Sequence, residues 1–282
     1  MVKSITTIEA ALAWGMRKLA EMDTPKLDAQ VLLAFHLQQP RVYLLTWPEH
    51  RLETSVWLAY QAAVMRRQQG EPIAYILGKK EFWSLEFAVE PCTLIPRPAT
   101  EILVQAVLDS SGLEPIKLLD LGTGTGAIAC ALASERPNWD IWGADKIPEV
   151  VTLARKNQKA LNLSNVHFVQ SDWFSELAHH RFDIIASNPP YIDSNDAHLV
   201  ASDVAFEPRS ALVAKDKGMA DLDEIIMNSR AYLNRGGHLF LEHGYQQAAK
   251  VEASMLAAGM IAVQTIADLD GHGRVTYGQW LG

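Results

Sequence analysis

From Ile116 to the C-terminus, short apolar runs alternate with amphipathic stretches, and this alternation limits the possible folds more than any other feature. Strand signals fall near residues 116–121, 140–144, 166–170, 182–187, 237–242, 260–266 and 274–281, and helix-like stretches near 126–136, 148–161, 219–234 and 245–258. A parallel return to a sheet requires a crossover, and a helix supplies it. The pattern therefore predicts an α/β fold with a mostly parallel sheet and helices on both faces. Only the turn Asp268-Leu269-Asp270-Gly271-His272-Gly273 separates the last two runs, so they should form an antiparallel hairpin at the sheet edge.

In open α/β sheets, ligands gather beyond the C-terminal ends of the strands. Four of the predicted ends carry polar or glycine-rich chemistry. The first is Asp120-Leu121-Gly122-Thr123-Gly124-Thr125-Gly126, whose glycines let backbone approach a ligand and open a helix at once. A dinucleotide site would place its third glycine one residue later. Asp145 ends the second strand, where a carboxylate can accept both hydroxyls of a ribose; Asp172-Trp173 ends the third, where an acid and an indole suit an adenine ring. Helix capping is the simpler role for both acids. The fourth end is Asn188-Pro189-Pro190-Tyr191, after the apolar run Phe182–Ser187. Two prolines stop both ladder and helix, leaving a rigid extended turn. The Asn188 amide oxygen and the Pro189 carbonyl suit a planar nitrogen bearing two N–H donors, with Tyr191 packing against its plane.

The front of the chain reads differently. Ile5, Ile8, Leu12, Met16 and Leu19 recur at helical spacing behind a Thr6-x-x-Glu9 capping box. Thr24-Pro25 opens a second helix, and a third runs from about Ser55 to Gln69. Residues 73–95, rich in aromatic and β-branched side chains after Glu71-Pro72, predict a β-hairpin. Pro98 suits the first turn of a helix through Leu103, Val104 and Val107, while Arg97 is held between two prolines as a cation near the cleft or on a surface turn. This gives a helical domain over 1–72, a hairpin linker over 73–96 and an α/β domain over 97–282.

A chain of 282 residues with 49% apolar and 21% charged residues is ordinary for a water-soluble protein of two domains. No apolar run reaches membrane-helix length and no signal peptide is evident, which predicts a cytoplasmic protein. Cys92 and Cys130 lack metal or redox spacing and read as reduced thiols; no pair of histidines has metal-binding spacing, so no metal is expected. Residues 1–80 carry ten Lys/Arg against seven Asp/Glu, and the remainder 15 against 26. An acidic catalytic half disfavours direct nucleic-acid contact. Between Tyr191 and Gly218, Asp193, Asp196, Asp203 and Glu207 predict an acidic lid for a basic loop of a protein substrate.

These features resemble class I S-adenosylmethionine-dependent methyltransferases, in which a glycine loop, a second-strand acid and a fourth-strand Asn-Pro-Pro-Tyr occur in this order. Gly70-Glu71-Pro72-Ile73-Ala74, Glu81-Phe82-Trp83, Leu94-Ile95-Pro96-Arg97-Pro98, Phe206-Glu207-Pro208 and Gly236-Gly237 extend the likeness, and the chain is similar to the PrmC/HemK family along nearly its whole length. The resemblance implies a seven-stranded methyltransferase sheet and a helical front domain that recognises substrate. It also implies S-adenosylmethionine (product S-adenosylhomocysteine) held by Gly122, Thr123, Gly124, Thr125, Gly126, Asp145, Trp173 and Asn188. The acceptor would be the side-chain amide (N5) of the glutamine in the GGQ motif of peptide chain release factors, bound by Asn188, Pro189, Pro190 and Tyr191. Asn188, Pro189 and Tyr191 would be catalytic. His243 receives no family role. A nucleic-acid exocyclic-amine methyltransferase, acting on adenine N6 or guanine N2, is the alternative that the same tetrapeptide would serve. A non-catalytic assembly factor on the same fold is a second.

Overall fold

The computed structural model describes residues 6–200 and 202–282, and the chain divides into two compact units. One comprises Met1–Gly78 with Val200–Phe206; the other comprises Lys79–Leu199 with Glu207–Gly282. Ile5, the first apolar position of the expected front helix, lies outside the described residues.

The front unit is helical: Ile8–Lys18, Pro25–Leu37, Arg41–Thr46, Thr54–Gln68 and Ile73–Leu77. Its first helix is capped by Thr7, whose hydroxyl accepts the Ala10 N–H at 3.2 Å, one residue later than the expected capping box. The Thr6 carbonyl is instead taken by the Leu52 N–H. Pro25 opens the second helix as expected, but the Thr24 hydroxyl donates to Asp28 at 2.6 Å rather than capping. Ile8, Leu32, Leu33, Leu44, Tyr60 and Val64 fill the core. Gly15 permits close approach, since a Cβ there would lie 2.0 Å from the Tyr60 hydroxyl. Arg67, buried, is held between Asp28 (2.7 Å) and Asp203 (2.6 Å), so one acid of the expected lid is already engaged within this unit.

The expected hairpin over 73–95 is narrower. Residues 73–77 are helical because Pro72 leads into the first turn and Gly78, at φ 70°, closes it in the left-handed region. The hairpin is β1 (Lys79–Phe82) with β2 (Leu85–Ala88), joined by Trp83 and Ser84, both at positive φ as a two-residue turn demands.

The second unit contains the sheet. β3 (Lys117–Leu121), β4 (Asp140–Asp145), β5 (Val166–Gln170) and β6 (Phe182–Ser187) fall where the apolar runs predict them. A two-residue parallel pair, β7 (Ile192–Asp193) and β8 (Val213–Ala214), follows within the long loop. β9 (Leu233–Glu242), β10 (Ile261–Ala267) and β11 (Gly273–Gln279) complete it. The seven-stranded order is β10-β11-β9-β6-β3-β4-β5, all parallel except β11, which runs antiparallel to both neighbours. The helix expected over 219–234 ends at Ser229, and β9 starts early, at Leu233, with a register shift and Gly236 at φ 84°.

Alternate residues of each strand face two apolar layers. Leu118 and Ile184 pack with the helices Glu101–Asp109 and Ala127–Glu135; Leu119, Leu121 and Ile185 pack with Ala220–Ser229 and Ala248–Ala257. β3 is the switch point: the chain runs from it to β4 and β5 on one side, then returns to β6 on the other. Register is fixed there, with Leu121 beside both Ala144 and Ser187, and Ser187 beside Leu241.

Gly143 in β4 faces the Phe168 ring, where a Cβ would lie 2.4 Å away, and would come 2.8 Å from the Thr123 hydroxyl. Gly143→Ala should therefore lower unfolding free energy by about 1–3 kcal/mol, as overpacking does. Urea unfolding checks this, and Phe168→Leu in the same chain should recover part of the loss.

Candidate active site

The C-terminal edge at the switch point opens into a cleft with about 920 Å³ of empty space, its open mouth included, large enough for a nucleoside-sized ligand. Gly122, Thr123, Gly124, Thr125, Asp145, Trp173 and Asn188 line it, so most residues of the expected cofactor set meet in one place. Gly126 does not line it. A Cβ on Gly126 would come 2.8 Å from the Phe168 ring, so this glycine serves helix–sheet packing. Pro190 lines the cleft, whereas Pro189 and Tyr191 are not among the residues that line it.

The glycine loop is held from beneath. The Gly122 and Thr123 N–H groups donate to the Ala144 carbonyl at 2.9 and 3.0 Å, tying the loop to β4. Asp120, fully buried under the loop, accepts from the Thr123 hydroxyl (2.5 Å) and the Ala129 N–H (3.3 Å) through one oxygen; its other oxygen has no partner. Burial pushes its carboxyl up to about 7, against the pull of those two donors. Gly122 and Gly124 sit at φ 67° and 56°, and a Cβ on Gly124 would meet nothing within 4 Å, so its backbone faces open space.

Asp145 is fixed at its strand end by two backbone donors, Gly124 N–H to one oxygen and Ile147 N–H to the other, each at 3.1 Å. Each oxygen keeps a lone pair for a further donor, which is what a vicinal diol requires. Burial raises its pKa and these N–H groups oppose the rise. Trp173 adopts φ 46°, placing its ring 3.5 Å from where a Gly122 Cβ would be. Its neighbour Asp172 also lines the cleft.

Across the cleft, the Asn188 side-chain NH₂ donates to the Thr100 hydroxyl at 3.0 Å, which leaves its carbonyl oxygen as the unclaimed acceptor. The buried Pro189 carbonyl accepts no backbone hydrogen bond among the described residues. The half-buried Tyr191 packs on the apolar layer of Leu239 and Leu241, and its hydroxyl donates to Glu242 at 3.3 Å. The Gln247 amide clasps the Tyr191 carbonyl at 3.0 Å. Thr100 and Glu242 belong to no expected motif. Their only sequence signals are a hydroxyl after the Arg97-Pro98 turn and an acid ending an otherwise apolar strand.

Arg97 lines the cleft, as one of its two expected readings has it, but it is not a free cation. It pairs with Glu207, whose buried carboxylate also accepts the Ile95 N–H at 3.0 Å. With Asp203 bound to Arg67, two of the four acids of the expected lid are engaged in ion pairs, while Asp196 is exposed and Asp193 half-buried. His243 is buried between the Gly244 carbonyl and the Thr276 hydroxyl, with burial lowering its pKa.

Two family models match the chain: a PrmC N-terminal domain over residues 10–78 and a methyltransferase domain over 114–273. Release factor glutamine methyltransferases are close in sequence. That of Shewanella oneidensis is 50% identical over 98% of this chain and 96% of its own; that of Vibrio cholerae is 50% identical over 97% of each. The Escherichia coli protein is 47% identical over 94% of this chain and 96% of its own. Among solved structures, a methyltransferase from Pyrococcus furiosus superposes with a TM-score of 0.54 at 20% identity, covering 79% of this chain and 98% of that one. At that identity the likeness concerns the fold alone.

The buried acids make stability depend on pH with a defined sign. Asp120 and Glu242 both titrate near 7 in the native state, while an unfolded carboxyl titrates near 4. Between those values the unfolded chain has released protons that the native chain keeps, so stability falls as pH rises from about 4 to about 7 and levels off above. Asp120→Asn should remove about half of that fall, since Glu242 contributes with the same sign. Melting temperatures from pH 4.5 to 8 check it, and an unchanged slope contradicts it.

Proposed function

The chain belongs to the release factor glutamine methyltransferase family, and from that premise we propose how its own residues carry the reaction. It is an S-adenosylmethionine-dependent protein-glutamine N-methyltransferase: it transfers a methyl group to the side-chain amide nitrogen of a glutamine in peptide chain release factors. The glutamine is that of the GGQ motif, methylated at N5, and S-adenosylhomocysteine is the product.

The residues fit the cofactor. Gly124 presents its backbone to open space with Gly122, Thr123 and Thr125 lining the cleft beside it, Asp145 keeps an acceptor lone pair on each oxygen for a ribose, and Trp173 offers an indole face beside the loop. When bound, S-adenosylmethionine supplies a methyl group on an electron-poor sulfonium. The chain's share is orientation. A carboxamide nitrogen is a poor nucleophile because its lone pair is conjugated with the carbonyl, the same conjugation that makes amide rotation cost roughly 18–20 kcal/mol. Asn188 and the Pro189 carbonyl accept the two N–H bonds and turn the lone pair towards the cleft. Tyr191 forms the wall behind them.

One observation carries this reading: the Asn188 amide, its NH₂ committed to Thr100, leaves its oxygen as acceptor in the cleft that the glycine loop also lines. The helical front unit recognises the release factor, which its match to a PrmC N-terminal domain supports. No helix among the described residues is long and apolar enough to cross a membrane, and we place the protein in the cytoplasm, without direct nucleic-acid contact.

Asn188→Ala should lower kcat by about 10²–10³, the loss typical of a removed oriented hydrogen-bonding group, with cofactor affinity changing only a few-fold. Transfer from methyl-labelled S-adenosylmethionine to release factor, DNA or RNA checks the substrate class. Label appearing in DNA or RNA but not in release factor would overturn the reading.

A further inference from the structure

At the C-terminal edge of the sheet, Ser187 lies beside Leu241, which brings Asn188 and Glu242 next to each other at the ends of β6 and β9. Glu242 is 2% exposed; side chains alternate along β9, so it falls on the face of Phe240 and opposite Val275, both fully buried. A carboxyl there is costly unless hydrogen-bonded, and apolar packing would fill the space without that cost. The groups around it explain its presence. Tyr191 donates its hydroxyl to one oxygen at 3.3 Å, the other oxygen has no partner among the described residues, and Thr100 and Asn188 lie on the same side and favour the charged form. These are donor groups, and an ionised carboxylate, which only accepts, is the group that suits them.

We propose that Glu242 is the positioning residue of the acceptor-amide pocket: acting through Thr100 and Tyr191, it sets which way the Asn188 amide faces and where the Pro189 carbonyl points. This rests on the acceptor role proposed for Asn188 and deepens it. The Asn188 NH₂ donates to Thr100, and the Thr100 hydroxyl can accept that bond only while its own hydrogen is directed elsewhere. The Glu242 carboxylate is the acceptor available for that hydrogen. Were it neutral, the carboxyl would lose the charge that draws the Thr100 and Tyr191 hydrogens, and the amide would lose the reason to face its oxygen into the cleft.

The carboxyl can change state in the working range, because burial raises it to about 7. The charged and titratable groups around it are Tyr191, in the turn after β6, and Arg274, on β11, which favours the ionised form. Tyr191 is itself raised by burial and by Glu242, so it stays a hydroxyl donor throughout. Arg274 is tied to Asp268 at 2.8 Å. Glu242 is therefore the group in this cluster whose titration alters the alignment.

The test uses the full chain without methyl donor, following the Asn188 side-chain amide in ¹⁵N–¹H spectra from pH 5.5 to 8.5. In the wild type these signals should shift with a midpoint near 7, and in Glu242→Gln the step should vanish. With release factor and saturating cofactor, Glu242→Gln should lower kcat about tenfold or more, with KM within about threefold, and should lose the activity limb that rises through pH 7. A step that survives in Glu242→Gln, or its absence from the wild type, overturns the proposal. Where Glu242→Gln does not fold, Thr100 carries the test. Thr100→Val should shift the Asn188 amide signals and lower kcat, and Thr100→Ser should restore both; wild-type signals in Thr100→Val overturn it. A wild type that displays the titration but methylates no release factor sinks the proposed function and leaves the positioning role standing.

Discussion

The parallel register at the switch point is the constraint on which the rest depends. Side chains on neighbouring strands alternate with a period of two, so a slip of one residue would turn every strand end over. The register is pinned at the functional edge itself: the buried Ser187 hydroxyl donates to the Leu121 carbonyl at 2.7 Å, and Gly122 and Thr123 donate to Ala144. Those bonds set β3, β4 and β6 level with one another. The residues just past the level, the glycine loop, Asp145 and Asn188, then share one opening. Their meeting follows from strand pairing more than from any attraction between them.

A strand end set by packing still leaves side chains free to rotate, and apolar contact has no direction. The structure supplies direction with buried carboxylates. Asp120 takes the Thr123 hydroxyl and the first free amide region of the Ala127–Glu135 helix, fixing the loop on which a cofactor would rest. Glu242 takes Tyr191 and faces Thr100 and Asn188, on the side of the acceptor turn. Each acid is fully or almost fully buried at or near the C-terminal end of its strand, and each keeps an oxygen with no partner among the described residues. Burial raises both carboxyls to about 7, and the few donors that reach them do not offset it.

Much of this was legible in the chain. The seven strands were readable because buried parallel strands are continuous apolar runs, and the loop and turn motifs because glycine and proline restrict backbone by sterics alone. Residues 73–77 misled: Ile73, Tyr75 and Ile76 have strand-like chemistry, but Pro72 and Gly78 bracket one helical turn, and the brackets outweigh the propensity. The capping box slipped by one because Thr6 and Thr7 are chemically equal, and only the pairing of Thr7 with Arg51 distinguishes them. Glu207 and Asp203 read as part of an acidic lid because their partners, Arg97 and Arg67, are 110 and 136 residues away. Thr100 and Glu242 were silent for the same reason. They are distant from Asn188 in sequence, and nothing local marks a hydroxyl or an acid as facing a motif rather than water.

The division of labour between the two acids also bears on why the site is built from a rigid tetrapeptide rather than a flexible loop. A carboxyl near its midpoint at neutral pH holds an orientation only as firmly as its charge state, so whatever it directs must have few alternatives. Pro189 and Pro190 remove most of them: the backbone cannot retreat into helix or ladder, and the Pro189 carbonyl stays where β6 delivers it. Gln247 restrains the next carbonyl, and Gly218, where a Cβ would come 2.0 Å from that same oxygen, lets the neighbouring chain close over it. With the backbone fixed on both sides, the one soft coordinate left is the side-chain rotation of Asn188, and a weakly held buried acid is enough to set a single rotation.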